Sequence, residues 1–165
     1  MNIFILEVNP QVAAQMLMDK HVVKMALETA QILSTVSGGP YKPTHKNHPC
    51  VLWAGSFSEN YAWLVEHGIG ICNEYEYRYG KEHKCQEVIY KLRNPPNTLT
   101  KGLSPFVQCM PDDYKKELAV DAYRAYYHSK RSFATWTKRN KPYWWKVQDV
   151  QSIRTTSIDP RTIVI

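Results

Sequence analysis

Apolar residues recur at helical spacing along most of this chain, and short polar or Pro/Gly-rich breaks divide it into segments. Residues Asn2 to Val8 alternate loosely and predict a short strand or an extended lead-in. Asn9-Pro10 then joins a capping side chain to a first-turn proline, which opens a helix. The apolar period carries this helix to Ser34 or Ser37, where Gly38-Gly39-Pro40 stops it. After the polar stretch from Pro40 to Pro49, Ser56-Phe57-Ser58-Glu59 fits a capping box. The stripe Tyr61, Leu64, Val65, Gly68, Ile71, Cys72 and Tyr75 continues that second helix to Gly80. A shorter helix is expected over Glu82 to Leu92, and a fourth from Asp112 or Asp113 to Ser129. The expected fold is mainly α: a compact single-domain helical bundle around a central N-terminal helix, with a short N-terminal extended segment. Residues 1–148 form the domain, and residues 149–165 read as a C-terminal tail whose Thr162-Ile163-Val164-Ile165 end suits an edge strand.

Plotted at 100° per residue from Pro10, Val12, Met16, Val23, Ala26, Ala30 and Leu33 share one face of the first helix, and Asp19 falls within it. A carboxylate in an apolar stripe is costly unless it is paired. Asp19 is therefore either a buried anchor for a loop or an arginine, or a site carboxylate. Lys20, His21, Lys24, Glu28 and Gln31 cluster on another face. They read as a solvated surface or, on a helix this apolar, as the wall of a pocket holding a base, an amine and a carboxylate.

The loop His45-Lys46-Asn47-His48-Pro49 spaces two imidazoles so that they could share a metal with His21 or Asp19, could bind an anion, or could order the loop. No metal set and no cofactor is assigned. Tyr75, Arg78 and Tyr79 form either a tyrosine-lined core edge or a platform that clamps phosphate and stacks a base. Lys138, Arg139, Lys141 and Lys146 interleave with Tyr143, Trp144 and Trp145, which suits nucleic acid or a tryptophan-anchored docking segment.

Composition changes this picture only modestly. Twenty-one Lys and Arg against fifteen Asp and Glu give a net charge of +6, which favours an anionic partner. Eleven tyrosines and five tryptophans supply core or stacking surfaces. The four cysteines form no CxxC pair and read as reduced, mostly core residues of a cytoplasmic protein. No apolar run has the length of a membrane span. A Walker loop, GxGxxG, GxSxG and HExxH are all absent, which excludes the corresponding phosphotransferase, dinucleotide, α/β-hydrolase and zincin chemistries.

Three stretches together, Asp19-Lys20-His21-Val22-Val23-Lys24-Met25, Thr44 to Cys50 and Tyr75 to Lys81, resemble a group of small phage-encoded proteins over most of residues 1–145. More distantly, Gln11 to Met18, His48 to Gly55 and Pro142 to Trp145 resemble the phage pyrimidine-dimer DNA glycosylases of the endonuclease V type. That resemblance implies a helical fold and nucleic acid as substrate class. The family uses an N-terminal α-amine as imine-forming nucleophile, with a glutamate on the first helix and nearby arginines. In ungapped register Val23 takes the place of the glutamate and Val22 that of an arginine. Asn2 is larger than the residue that efficient Met1 removal requires.

The function expected is therefore DNA glycosylase-like: cleavage of the N-glycosidic bond of a damaged or modified base in the host cytoplasm. Asp19 or Glu28 would supply the carboxylate, His21 or His48 the proton, and Lys24 and Lys46 phosphate contacts. Lys20 or Lys24 would supply an imine-forming amine. Lys20, His45, Lys46, Trp53, Tyr75, Arg78, Tyr79, Lys138, Arg139 and Trp144 would bind the nucleic acid, with a flipped base stacked on a tyrosine or Trp53. An enzyme of free nucleotides, a non-catalytic DNA-binding or host-inhibitory protein, and a His-ligated metal hydrolase are the competing readings.

Overall fold

The computed structural model describes residues 1–146, and these contain six α-helices and no strand. The expected tail and its edge strand lie outside the described residues. Residues 1–6 form neither strand nor helix, with Ile3, Phe4, Ile5 and Leu6 buried.

The long first helix of the sequence reading is two helices: α1 (Pro10–Met16) and α2 (Asp19–Ser37). Asn9 caps α1 by accepting from the Gln11 and Val12 amides at 3.0 Å each, with Pro10 in the first turn. The break at Leu17-Met18 has no glycine or proline to announce it. Tertiary partners hold it open. Trp136 Nε1 donates to Met16 O at 2.9 Å and Arg78 Nη2 to Gln15 O at 3.1 Å. The Met18 amide donates to the Tyr127 hydroxyl at 3.0 Å and the Asp19 amide to Thr135 O at 2.8 Å. Both freed helix ends are thus satisfied by side chains and loops distant in sequence. The break also shifts the helical phase. Val12 and Val23, expected in the core, are exposed, and the buried face of α2 is Val22, Met25, Ala26, Thr29, Ala30, Ile32 and Leu33.

His48 caps the short α3 (Pro49–Ala54), which the pattern of apolar positions did not predict. Helix α4 (Ser58–Tyr79) starts two residues later than expected, and the capping box is not formed: Ser56 Oγ donates to Leu52 O instead. It ends at Gly80 in the left-handed conformation, φ 68°, as α2 ends at Gly38, φ 72°. Two glycines let α4 approach its neighbours. A Cβ at Gly68 would lie 2.7 Å from Thr29 Cγ2 of α2, and one at Gly70 would lie 3.0 Å from Ala14 Cβ of α1. Helix α5 (Gln86–Lys91) is shorter than expected. The fourth expected helix is a 3₁₀ turn (Asp112–Tyr114) followed by α6 (Ala119–His128).

Much of the surplus tyrosine goes into the core. Tyr61, Tyr123 and Tyr127 are fully buried, and their hydroxyls are bonded to Leu92 O, Val107 O and the Met18 amide. No helix among the described residues is long and apolar enough to cross a membrane.

Candidate active site

Helix α2 carries two acidic side chains into the interior, Asp19 at its first turn and Glu28 nine residues on. Around them the structure builds two different clusters.

Asp19 is enclosed. Its carboxylate accepts from Arg78 Nη1 at 2.9 Å, from the Thr137 amide at 2.9 and 3.0 Å, and from Thr137 Oγ1 at 3.0 Å. Burial raises its pKa, but the hydrogen bonds from Thr137, Thr135 and Arg78 outweigh burial and hold the carboxyl below the usual range. Arg78 is itself buried and also donates from Nε to Glu74 Oε1 at 2.7 Å. Arg139 closes the other side of Glu74 with two bonds of 2.9 Å. Arg78 and Arg139, expected to clamp phosphate, are held in this internal ion-pair network.

Glu28 lies near the middle of the same helix and on the face opposite Asp19, since nine residues at about 100° each make two and a half turns, and it is buried at 7% exposure. Its Oε2 accepts the Asn2 amide at 2.8 Å, and its Oε1 meets the Lys24 ammonium at 3.3 Å, from a lysine side chain 67% exposed. The first residues are pinned there from three directions. Asn2 Nδ2 donates to Cys109 O at 2.7 Å, and Asn2 Oδ1 accepts the amides of Ile3 and Phe4 at 2.8 and 3.2 Å. Phe4 takes a positive φ of 45°, a costly conformation for a bulky side chain, and its ring stacks on His21 at 4.2 Å. Lys130 Nζ sits 4.1 Å from the Tyr126 ring centre and 5.6 Å from that of Phe4.

His21 faces this cluster but is not free. Its Nδ1 is 2.7 Å from the buried Tyr127 hydroxyl, and burial, with Lys130 and Lys24 nearby, depresses its pKa to about 3. It is neutral at pH 7 and cannot serve as the proton donor at that pH. His48 is half-buried and its Nδ1 accepts the Cys50 amide at 3.2 Å. Burial first, then the chain's amino terminus and His45, lower its pKa, while Glu28 acts in the opposite sense. Cys50 and Cys109 approach to 3.4 Å between sulfurs. Their contact pushes Cys50 up and holds Cys109 down to about 7.

The other expected site residues are dispersed. Trp53 is core, with Nε1 donating to Pro105 O at 3.0 Å and its ring packed on Trp63 and Phe106. Trp144 is buried against Tyr127, with Nε1 3.3 Å from Met16 Sδ. Tyr75 and Tyr79 pack edge-on, 4.9 Å apart, beside His83. Lys138 Nζ donates to Tyr77 O at 3.2 Å, and Lys20 Nζ lies 4.6 Å from the Phe133 ring centre. His45 and Lys46 are exposed, His45 Nδ1 lying 2.7 Å from Thr44 Oγ1, so the two loop imidazoles are not gathered on one point with His21 or Asp19. The basic-aromatic segment instead borders a cleft of about 590 Å³ lined by Gln15, Met16, Tyr77, Lys138, Arg139 and Asn140, which shares no residue with the Glu28 cluster.

The sequence reading missed Asn2 and Cys109 as members of the Glu28 cluster, and nothing in their local sequence marks them. In the structure the carboxylate that meets the chain's first residues is that of Glu28.

A family model described as pyrimidine dimer DNA glycosylase matches residues 1–87, a little over half of the 165 residues, and that span holds Asn2, Lys24, Glu28 and His48. No curated protein and no solved structure matches the chain.

Proposed function

The chain belongs to the pyrimidine dimer DNA glycosylase family, and from that premise we propose that it excises a damaged pyrimidine from DNA by breaking the N-glycosidic bond at the Glu28 cluster. The observation that carries this reading is the Asn2 nitrogen 2.8 Å from a buried carboxylate whose second oxygen meets Lys24. As the base departs with the bonding electron pair, positive charge develops at C1′. A fixed carboxylate both stabilises that charge and accepts the proton of the attacking group.

Two amines are placed near this carboxylate: Lys24 Nζ, and the chain's own α-amine, one residue before the Asn2 nitrogen that Glu28 accepts. Attack by either forms a C1′–N bond and, after ring opening, an imine that permits strand cleavage. Attack by water leaves an intact strand with an abasic sugar. A duplex substrate must present its base extrahelically, with Lys24, Lys130 and Lys46 available to the phosphates. Within the segment from Lys138 to Trp145, Lys138, Arg139 and Trp144 make internal contacts, which weighs against a purely DNA-binding protein built on that surface.

The test uses a duplex oligonucleotide with one cyclobutane pyrimidine dimer, incubated with and without borohydride, followed by peptide mapping. Base release with a reduced adduct on the chain's α-amine or Lys24 supports the amine route, and base release without adduct supports water. Binding of damaged and undamaged duplex without any base release overturns the reading in favour of a non-catalytic protein. Turnover of free nucleotides alone overturns it in favour of a small-substrate enzyme.

A further inference from the structure

The geometry points to a soft divalent-metal site of the Zn²⁺ type at His48, Cys50 and Cys109, beside the first residues of the chain. One imidazole nitrogen of His48 and the sulfurs of Cys50 and Cys109 all lie within 4.8 Å of one another, and no other group of three such side chains gathers among the described residues. The donors come from separate parts of the chain: His48 and Cys50 from the start of α3, Cys109 from the loop before α6. Two sulfurs and an imidazole suit zinc or another thiophilic ion and exclude magnesium or calcium, which take oxygen donors.

Distances favour a shared ion over a disulfide. Zinc bonds of about 2.3 Å to sulfur at tetrahedral angles place two sulfurs about 3.8 Å apart. The observed separation of 3.4 Å needs only a few tenths of an ångström of adjustment. A disulfide would require the sulfurs to close to about 2.05 Å. Both cysteines are free thiols, and Cys50 is buried.

The site also has a structural consequence. Cys109 O accepts from Asn2 Nδ2 at 2.7 Å and its amide donates to the Tyr123 hydroxyl at 3.1 Å. An ion bridging Cys109 to α3 would therefore fix the loop that holds Asn2 on Glu28. His48 becomes a ligand rather than the proton donor that its sequence position suggested. Three protein donors leave a fourth corner for water. This inference stands whether or not the chain excises a base.

The test is metal binding by the full chain under reducing conditions. Metal-free protein is titrated with Zn²⁺ against a chromophoric chelator, and in parallel with Co²⁺ to read thiolate-to-metal charge transfer. The expected result is one Zn²⁺ per chain and a charge-transfer band from two thiolates. Cys109→Ser and His48→Ala should each weaken binding at least about tenfold, since even loss of an outer-sphere partner has that effect. His45→Ala should leave affinity unchanged. The half-buried Cys109 is the safer variant, checked by circular dichroism, and the Co²⁺ spectrum of the unaltered chain needs no variant. Absence of Zn²⁺ binding, or equal binding by Cys109→Ser and His48→Ala proteins that remain folded, overturns the proposal. A reduced chain that binds no zinc but forms a Cys50–Cys109 disulfide in air overturns it in favour of a redox pair.

Discussion

Asp19 and Glu28 stand on one helix, nine residues apart, and are almost equally buried, with side-chain exposures of 14% and 9%. They differ in what surrounds them. Asp19 is saturated by a buried guanidinium, a backbone amide and a hydroxyl, all held by the surrounding fold. Glu28 has one backbone amide from the chain's first residues and one largely exposed lysine. A saturated carboxylate ties elements together and has no valence left for a substrate. One that keeps a solvent-facing partner is placed for chemistry. Burial nominates both; the fixity of the partners separates them.

The sharpest way to break this comparison is to neutralise each acid in turn without changing its shape. Glu28→Gln is expected to lower single-turnover excision of a dimer by about 10²–10⁴-fold while moving the thermal midpoint little. Asp19→Asn is expected to do the reverse, destabilising the fold by roughly 1–3 kcal/mol with near-normal excision by the folded protein. A folded but inactive Asp19→Asn protein, beside an active Glu28→Gln protein, would exchange the two roles.

Asp19 drew attention in the sequence because position in an apolar stripe is legible there, whereas the identity of its partners is not. Arg78, 59 residues away, and Thr137, 118 residues away, reach it only through the fold. The helix-ending glycines and the Asn9-Pro10 start could be read directly, since each acts through its own backbone. The Leu17-Met18 break could not, because it is imposed by Tyr127, Trp136 and Arg78 from elsewhere in the chain. Missing it carried Val12 and Val23 onto the wrong face. The set His21, Lys24 and Glu28 was visible as a helix face. Asn2 and Cys109 became part of the Glu28 cluster only through chain folding.

Within the saturated region, Arg78 is the member whose loss should cost most. Arg78→Met leaves Glu74 and Asp19 buried without their shared cation, so unfolding in urea should show a loss of about 3–5 kcal/mol. Arg139→Ala, at a side chain 32% exposed, removes only Glu74's outer partner and should cost well under half as much. Equal losses would mean that Glu74, not Arg78, organises the network.

Acid should separate the regions by pH. His21, beside the Glu28 cluster, and His67, against Trp63, are both depressed to about 3 by burial. Below the ordinary value of 6.5 the unfolded chain takes up protons that the folded chain refuses. Stability is therefore full above that value and declines as pH falls towards 3. Asp19, with its carboxyl below the ordinary 3.8, loses its contribution only at still lower pH. Neither ring nitrogen of His67 has a partner among the described residues. His67→Phe should thus flatten the acid slope of the unfolding free energy by up to about one proton and change stability at pH 7 by about 1 kcal/mol or less. An unchanged slope would show that His67 is protonated in the fold.

The smallest effect bears on which region meets nucleic acid. Lys24 is exposed, and its pairing with Glu28 adds little to stability, on the order of 0–1 kcal/mol. If its charge lies against a phosphate, Lys24→Gln should reduce the slope of log Kd against log salt by about one, with similar weakening for every sequence. Lys138 is also exposed, but its ammonium already donates to Tyr77 O and its carbonyl accepts the Tyr77 hydroxyl. Lys138→Gln should therefore leave the salt slope unchanged. Fluorescence anisotropy with a labelled duplex between low and moderate salt reads both variants. A slope that responds to Lys138 and not to Lys24 would move the DNA path onto the Asp19 side. The 590 Å³ cleft beside Arg139 would then become the place to look for the flipped base, and the saturated network behind it the scaffold that holds that cleft rigid.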